Sequence, residues 1–484
     1  MLRLASLSTS VGARQGLHKN EMSEVNSIQA GGTGAVSLSR RLSGAAAWVV
    51  FGAGAAHIIR LGGNLIVTRL LAPEMFGLVA VAGLVPLILS MLSDIGFREN
   101  VCRSPKGDDQ EFLNTLWAVQ ITRGATLWGG CLVISVILYS IGMAGWLSPQ
   151  STYGDPKLPW VIAVSSMSIV ISSFHSTKVF SENRHFRIKQ LLKIELLTQV
   201  IGLVVMIAIA WATGSIWSIL ISGLVTSIVY VVFSHFWLPG ENNRLAWSKD
   251  HVTEIMTFGK WLVWSSAFTV LASNGDRILL GAFVSAQILG FYTIAANLAG
   301  AVDLLVGQIF SRVVMPGFSE VARTNPERLA GAYYKIRIRF DPLMLGLSGF
   351  LFAAGHVAIN IMYDDRYKAA GSILETLALG LIISRYALAQ SVYLATNHPQ
   401  YLVWLNVTRF FSIYALVPVG FYFFGLTGAL FAIALREVVT VPMILYFNSK
   451  YKINNWMLEL KVLLAWPVGY GVGLAGVLVY TMIR

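Results

Sequence analysis

The sequence predicts an all-α, polytopic membrane protein, and three observations carry that prediction. Only 12% of the 484 residues are charged, and the mean hydropathy of +0.65 lies well outside the range of soluble domains. Apolar runs of about 20 residues, long enough to cross a bilayer as helices, recur along nearly the whole chain. A membrane β-barrel would instead show ten-residue segments of alternating polarity, and these are absent.

Taken in order, the apolar runs centre on residues 45–70, 76–97, 117–141, 158–178, 194–212, 216–238, 259–283, 290–314, 337–360, 371–394, 401–424, 426–447 and 460–482, which gives 13 spans. They divide into an N-terminal six-helix bundle over 42–240, a C-terminal six-helix bundle over 241–450 and an additional C-terminal transmembrane helix over 451–484. With the N-terminus placed in the cytoplasm, most of the 36 Lys and Arg fall in cytoplasmic segments. Lys157, Arg366, Lys368 and Arg484 fall outside. That asymmetry follows the positive-inside rule and sets the orientation. The net charge of +12 is then a matter of topology and anionic lipid. A nucleic-acid partner would need a soluble basic surface, which is missing.

Residues 1–41 are rich in Ser, Gly and Ala and read as a disordered cytoplasmic tail. Arg3 and Arg14 precede any acid, as in a transit peptide, and Met22 is an alternative start; no apolar run precedes a cleavage site as in a secretory signal. The longest connections, around 98–116, 239–258 and 315–336, are too short to fold as catalytic domains, which generally take at least ~50 residues. The chain has no GxxxxGK[ST] phosphate loop and no His-x-x-x-His or Cys-x-x-Cys metal spacing, and neither Cys102 nor Cys131 reads as a disulfide or zinc cysteine. No cofactor and no enzymatic activity are expected. Function is expected between the helices.

The chain repeats itself. NLIVTRLLAPEMFGLVAVAG (Asn64 to Gly83) aligns without a gap on RILLGAFVSAQILGFYTIAA (Arg277 to Ala296), which sets Gly77 against Gly290. The copies are 213 residues apart, and six spans separate them. An even number of spans gives both the same orientation, so the halves are related as a parallel repeat about an axis along the membrane normal. Each half carries a polar helical stripe: His57, Arg60, Asn64 and Thr68 on the first span, and Ser266, Thr269, Ser273 and Arg277 on the seventh.

Six arginines, Arg60, Arg123, Arg277, Arg385, Arg409 and Arg436, fall well inside spans, and no lysine does. Each costs about 2.5–3.5 kcal/mol at a lipid-facing midplane position, and six reach on the order of 15–20 kcal/mol, more than a typical fold's net stability. They must face a wet cavity or pair with acids such as Asp94, Asp276, Asp303, Glu375 and Glu437. The exclusive use of arginine favours the cavity, because its planar fork grips phosphate bidentately and keeps its charge when desolvated. Arg60, Asn64, Arg123, Arg277, Arg385 and Arg409 are therefore the candidate substrate-binding residues, for a substrate carrying phosphate or pyrophosphate. Asp94, Asp276, Asp303 and Glu437 are placed to bind a coupling proton or sodium ion, or else to neutralise neighbouring arginines. The cytoplasmic stretch SENRHFRIKQLLKIELL interleaves Arg184, Arg187, Lys189 and Lys193 with Phe186, Ile188, Leu191 and Leu192, an interfacial amphipathic pattern.

LLAPEMFGLVAVAG, GDRILLGAFVSAQILGFYTIAA, IMYDDRYKAA and FFGLTGALFAIALREVV together resemble the bacterial polysaccharide (O-antigen and exopolysaccharide) flippases of the multidrug/oligosaccharidyl-lipid/polysaccharide exporter superfamily. The likeness covers residues 40–450. It implies 12 or 14 helices with two six-helix bundles in a V, a place in the bacterial inner membrane, and transfer of undecaprenyl-pyrophosphate-linked oligosaccharide from the cytoplasmic to the periplasmic leaflet. It also implies membrane lipids, a polysaccharide polymerase and a chain-length regulator as partners. The residues leave three alternatives. These are a multidrug exporter, whose lumen would be acidic, a peptidoglycan-precursor flippase, and a polymerase or ligase, which would need a large periplasmic loop.

Overall fold

The computed structural model describes residues 32–185, 187–310, 314–398 and 400–483, and the described residues are helical with short connections. Residues 1–31 of the expected tail lie outside them. The first helix, α1, runs Gly32–Leu70 and so takes in residues 32–41 of that tail. It is followed by α2 (Pro73–Leu92), α3 (Phe97–Arg103), α4 (Gln110–Met143), α5 (Leu158–Ser173), α6 (Lys178–Arg184), α7 (Ile188–Thr213) and α8 (Trp217–Phe236). The second half comprises α9 (Lys249–Phe283), α10 (Ala286–Ile309), α11 (Met315–Thr324), α12 (Leu329–Met362), α13 (Ala370–Ala378), α14 (Leu381–Ser384), α15 (Ala387–Ala395), α16 (Gln400–Leu435) and α17 (Val441–Lys450). Helices α18 (Trp456–Leu463) and α19 (Ala465–Ile483) close the chain.

Among the described residues, eight helical segments are long and apolar enough to cross a membrane, or nine if α5 and α6, bent by 66°, form one span. This is fewer than the 13 runs read from sequence. One source of the difference is plain: Gln400–Lys450 counts as a single segment, although Gly425 breaks it with φ 61° and ψ −149°. A Cβ on Gly420 would lie 2.5 Å from the Gly428 carbonyl oxygen, so the chain folds back into a helical hairpin at that point.

The repeat appears as matching element ends. Helix α1 ends at Leu70 and α9 at Phe283; α2 begins at Pro73 and α10 at Ala286; 3₁₀ turns occupy Thr152–Gly154 and Asp365–Tyr367. In every case the interval is 213 residues. The two copies meet at their glycines. A Cβ on Gly77 would lie 1.9 Å from the Ala286 carbonyl oxygen, and one on Gly290 would lie 1.8 Å from that of Pro73. Position 73 faces 290 while 77 faces 286. That reciprocity is the signature of two-fold contact, and it brings backbone against backbone where no side chain fits.

Hydrogen bonds reinforce the same end of the molecule. The last carbonyls of a helix lack partners within it, and here each copy supplies the other's. Thr152 donates its N–H and Oγ1 to the Val284 carbonyl at 2.9 and 2.8 Å. Its register mate is the Leu71 carbonyl, which accepts from the buried Tyr367 hydroxyl at 2.8 Å. Arg366, held by Asp364, adds bonds to the carbonyls of Thr68 (3.1 Å) and Arg69 (2.7 Å). The largest apolar core, which includes Leu78, Val81, Leu289, Ile294, Ile373 and Ile413, lies beside this seam and joins the halves. We refer to it as the sealed end.

At the C-terminus, α19 lies close against α12. A Cβ on Gly469 would fall 2.0 Å from the Gly346 carbonyl oxygen, and one on Gly349 2.2 Å from that of Trp466. Small residues at the crossing permit that approach.

Candidate functional site

A cavity of about 590 Å³ opens between α1, α7, α8, α9 and α10. One face of α1 supplies His57, Arg60 and Asn64, three and four residues apart as the helical repeat requires. Helix α9 supplies Arg277, α10 supplies Asn297, α7 Gln199 and α8 Ser222 and Thr226. The walls are otherwise apolar or glycine, with Val67 and Phe76 towards the sealed end. Arg60 is exposed within the cavity and Arg277 half-buried. Among the described residues no ion pair involves either arginine. The nearest polar contact of Arg277 is Nη2 to Asn297 Oδ1 at 3.4 Å. Its Nε, with His57 Nε2 and Gln199 Oε1, is buried without a protein partner. The lining holds two guanidinium groups and no carboxylate. Such a site favours an anion with several acceptor oxygens.

A smaller cavity of about 170 Å³ lies on the other side of α10, sharing Ala296 and Gly300 with the first. It gathers Asp276, Asp303, Glu437, Arg436, Tyr292 and Ser384. The Tyr292 hydroxyl donates to Asp276 Oδ2, while Asp276 Oδ1 is buried without a partner. Asp276 and Arg277 are neighbours in sequence, so on a helix their side chains diverge, and they reach different cavities. Three of the four acids singled out in the sequence thus converge.

The other candidates lie elsewhere. Arg409 bridges Asn406 Oδ1 (3.2 Å) and Glu437 Oε2 (3.4 Å). Arg123 donates to the Ser93 carbonyl at 2.8 Å and the Ser90 carbonyl at 2.5 Å, and it lies over the Phe97 ring. It ties α4 to the end of α2. Asp94 accepts the Gly96 N–H at 3.0 Å, shaping the turn into α3. Arg385 is buried beside the Tyr386 hydroxyl (2.9 Å) and Glu459 (3.1 Å). Arg385 and Arg409 therefore do not join Arg60 and Arg277 in one lumen.

Sequence reasoning missed the network around Arg385. Arg337 is fully buried and pairs with Asp341 (2.5 Å) and with Glu459, linking α12 to α18. The i, i+4 spacing of Arg337 and Asp341 was its visible signal. It also missed Gln199, Asn297 and Tyr292, polar residues in apolar helices that no charge advertised.

A multi-pass helical protein with polar cavities walled by repeated hairpins has the build of a membrane transporter. Structural likeness agrees at the level of fold. An inward-facing multidrug resistance MATE family transporter of the MOP superfamily superposes with a TM-score of 0.61 at 13% identity, over 82% of this chain and 94% of that one. The lipid II flippase MurJ, in an inward closed conformation, also gives 0.61, at 14% identity over 90% and 99%. Residues 66–372 match the polysaccharide biosynthesis protein family, and the chain belongs to it. Its similarity to the lipopolysaccharide biosynthesis protein WzxC of Escherichia coli K12 is 21% identity over 84% of this chain and 83% of that protein. With the succinoglycan biosynthesis transport protein ExoT of Rhizobium meliloti it is 19% over 65% and 61%.

Proposed function

We propose that the protein is a flippase that moves undecaprenyl-pyrophosphate-linked oligosaccharide from the cytoplasmic to the periplasmic leaflet of the bacterial inner membrane, with its N-terminus in the cytoplasm. One observation carries the reading: Arg60 and Arg277, one from each half of the chain, line a single cavity free of carboxylates. A sugar-pyrophosphate head cannot cross hydrocarbon with its polar groups unsatisfied. In the cavity the two guanidinium forks take the phosphate oxygens, Asn64, Asn297 and Gln199 take further acceptors or hydroxyls, and the polyprenyl tail stays in lipid. A cationic drug would be repelled, which disfavours a multidrug exporter.

The architecture we infer is two six-helix bundles over 42–240 and 241–450 with α19 as the added helix. The matching 213-residue intervals support it. Transport then requires the bundles to rock so that the sealed end opens as the other closes. Asp276, Asp303 and Glu437 are the acids we assign to ion coupling, since intramembrane carboxylates commonly mark ion pathways. An inside-negative potential also drives an anion outward by about 2.3 kcal/mol per charge per 100 mV.

The test is Arg60→Ala/Arg277→Ala in a strain lacking the chromosomal copy. Cell-surface polysaccharide is lost while the protein accumulates in the membrane at normal abundance. Wild-type polymer in this variant overturns the assignment.

A further inference from the structure

A second cavity of about 580 Å³ lies at the sealed end, on the far side of α2 from the arginine cavity. Phe76 and Val79 of α2 face the one, and Glu74, Met75 and Leu78 face the other. The first turns of α2, α5, α8 and α10 wall it, so both repeat halves contribute.

Its chemistry is the reverse of the first cavity. The charged groups are Glu74, Asp155 and Lys157, an excess of one carboxylate, so a pyrophosphate is disfavoured where Arg60 and Arg277 favour it. Two indoles, Trp160 and Trp217, are 62% and 43% exposed and line the cavity. Gln150 and Gln287, both exposed, add amides that donate and accept at once. A sugar ring needs this combination. Its C–H face lies on a flat apolar ring that is held at little entropic cost, and each hydroxyl gives one hydrogen bond and takes others.

The repeat indicates that this space is particular to the first half. In register, Gln150 and Gly154 correspond to Tyr363 and Tyr367. Both tyrosines are buried in the core, at 6% and 0% exposure. At the Gln150 position the second half fills with the Tyr363 ring what the first half leaves open.

We propose that this cavity is a binding site for a short, uncharged oligosaccharide on the side to which the sugar is delivered. The ligand class rests on the flippase reading, but the site is separate from the transport cavity. Because Ser285, Ala286 and Gln287 of the second half complete the wall, the site is whole only while the end is sealed.

The experiment is calorimetric titration of the full-length protein in lipid nanodiscs with the soluble oligosaccharide released by mild acid from the host's own polysaccharide. Trp160→Ala and Trp217→Ala are each expected to weaken binding by roughly tenfold. Trp160→Phe, which keeps a flat ring, retains most of it and excludes a folding defect. Saturating inorganic pyrophosphate does not displace the sugar. Absence of binding to the wild type, or binding unchanged in both alanine variants, overturns the proposal. Such a result, with polymer export still lost in Arg60→Ala/Arg277→Ala, leaves the flippase assignment standing. Sugar binding that depends on the tryptophans, with polymer export intact in the double variant, removes the flippase assignment alone.

Discussion

The two hairpins of the repeat share a backbone and differ in nearly everything their side chains do. Both break at the same register and cross at a glycine, and each accepts the other half's hydrogen bonds on an equivalent carbonyl, Leu71 or Val284. Along the preceding helices the chemistry diverges. Arg60 aligns with Ser273, Asn64 with Arg277, and Gly63 with Asp276. Only the second copy therefore carries an acid behind its arginine, and the acidic cavity lies on that side alone of the α10 wall. Symmetry holds where the halves meet, and it is abandoned where the cavities open between them.

That contrast is most sharply tested at the crossing. Gly77→Leu and Gly290→Leu should be equally damaging, because the added Cβ alone would fall within 2 Å of a carbonyl oxygen of the other copy. The expected outcome is loss of folded protein or an end that cannot seal, read as cysteine accessibility beside Thr152. If one variant is tolerated and the other is not, the contact is not reciprocal. Next in size is the pair Arg60→Lys and Arg277→Lys. Each keeps the charge but loses the bidentate grip, so flipping in proteoliposomes should fall roughly tenfold, or about 1.4 kcal/mol, at unchanged abundance. Equal effects mean that both copies hold the head group, whereas a silent Arg277→Lys would confine the grip to the first half.

Asp276→Asn probes what the first copy lacks. If Asp276 binds the coupling ion, the variant inserts normally and flips slowly, without dependence on the ion gradient. If Asp276 only balances the charge of Arg436 in the cavity they share, abundance falls because that half-buried guanidinium loses its counter-charge. Unchanged flipping with intact gradient dependence removes Asp276 from coupling. The smallest effects belong to the carbonyl captures. Tyr367→Phe and Thr152→Val each delete a hydroxyl donor and should lower stability by about 0.5–1.5 kcal/mol, measured as a shift in thermal unfolding. Thr152 retains its N–H bond to Val284, so its variant should be the milder.

How far the sequence disclosed this arrangement depends on how local the signal was. Helical class followed from composition, and the repeat from an ungapped alignment of Gly77 on Gly290. His57, Arg60 and Asn64 were legible as one face because helical spacing is a local property. The fates of Arg123 and Arg385 were not. Whether an intramembrane arginine meets a cavity, a pair of carbonyls or Glu459 depends on residues distant in the chain. The break at Gly425 was legible as well: the runs 401–424 and 426–447 divide there, and the positive φ of that glycine turns the chain back into a helical hairpin.

In the seal between the halves every hydrogen-bond acceptor is a main-chain atom, the carbonyl oxygens of residues 68, 69, 71 and 284, and the closest approach is between glycine backbones at 77 and 290. Carbonyls are common to all residues, so the lock on this end is indifferent to what the neighbouring cavities contain. Arg60, Trp160 or Gln199 can then be exchanged without loosening this contact, so on the proposed reading the glycan can change while the gate is inherited intact.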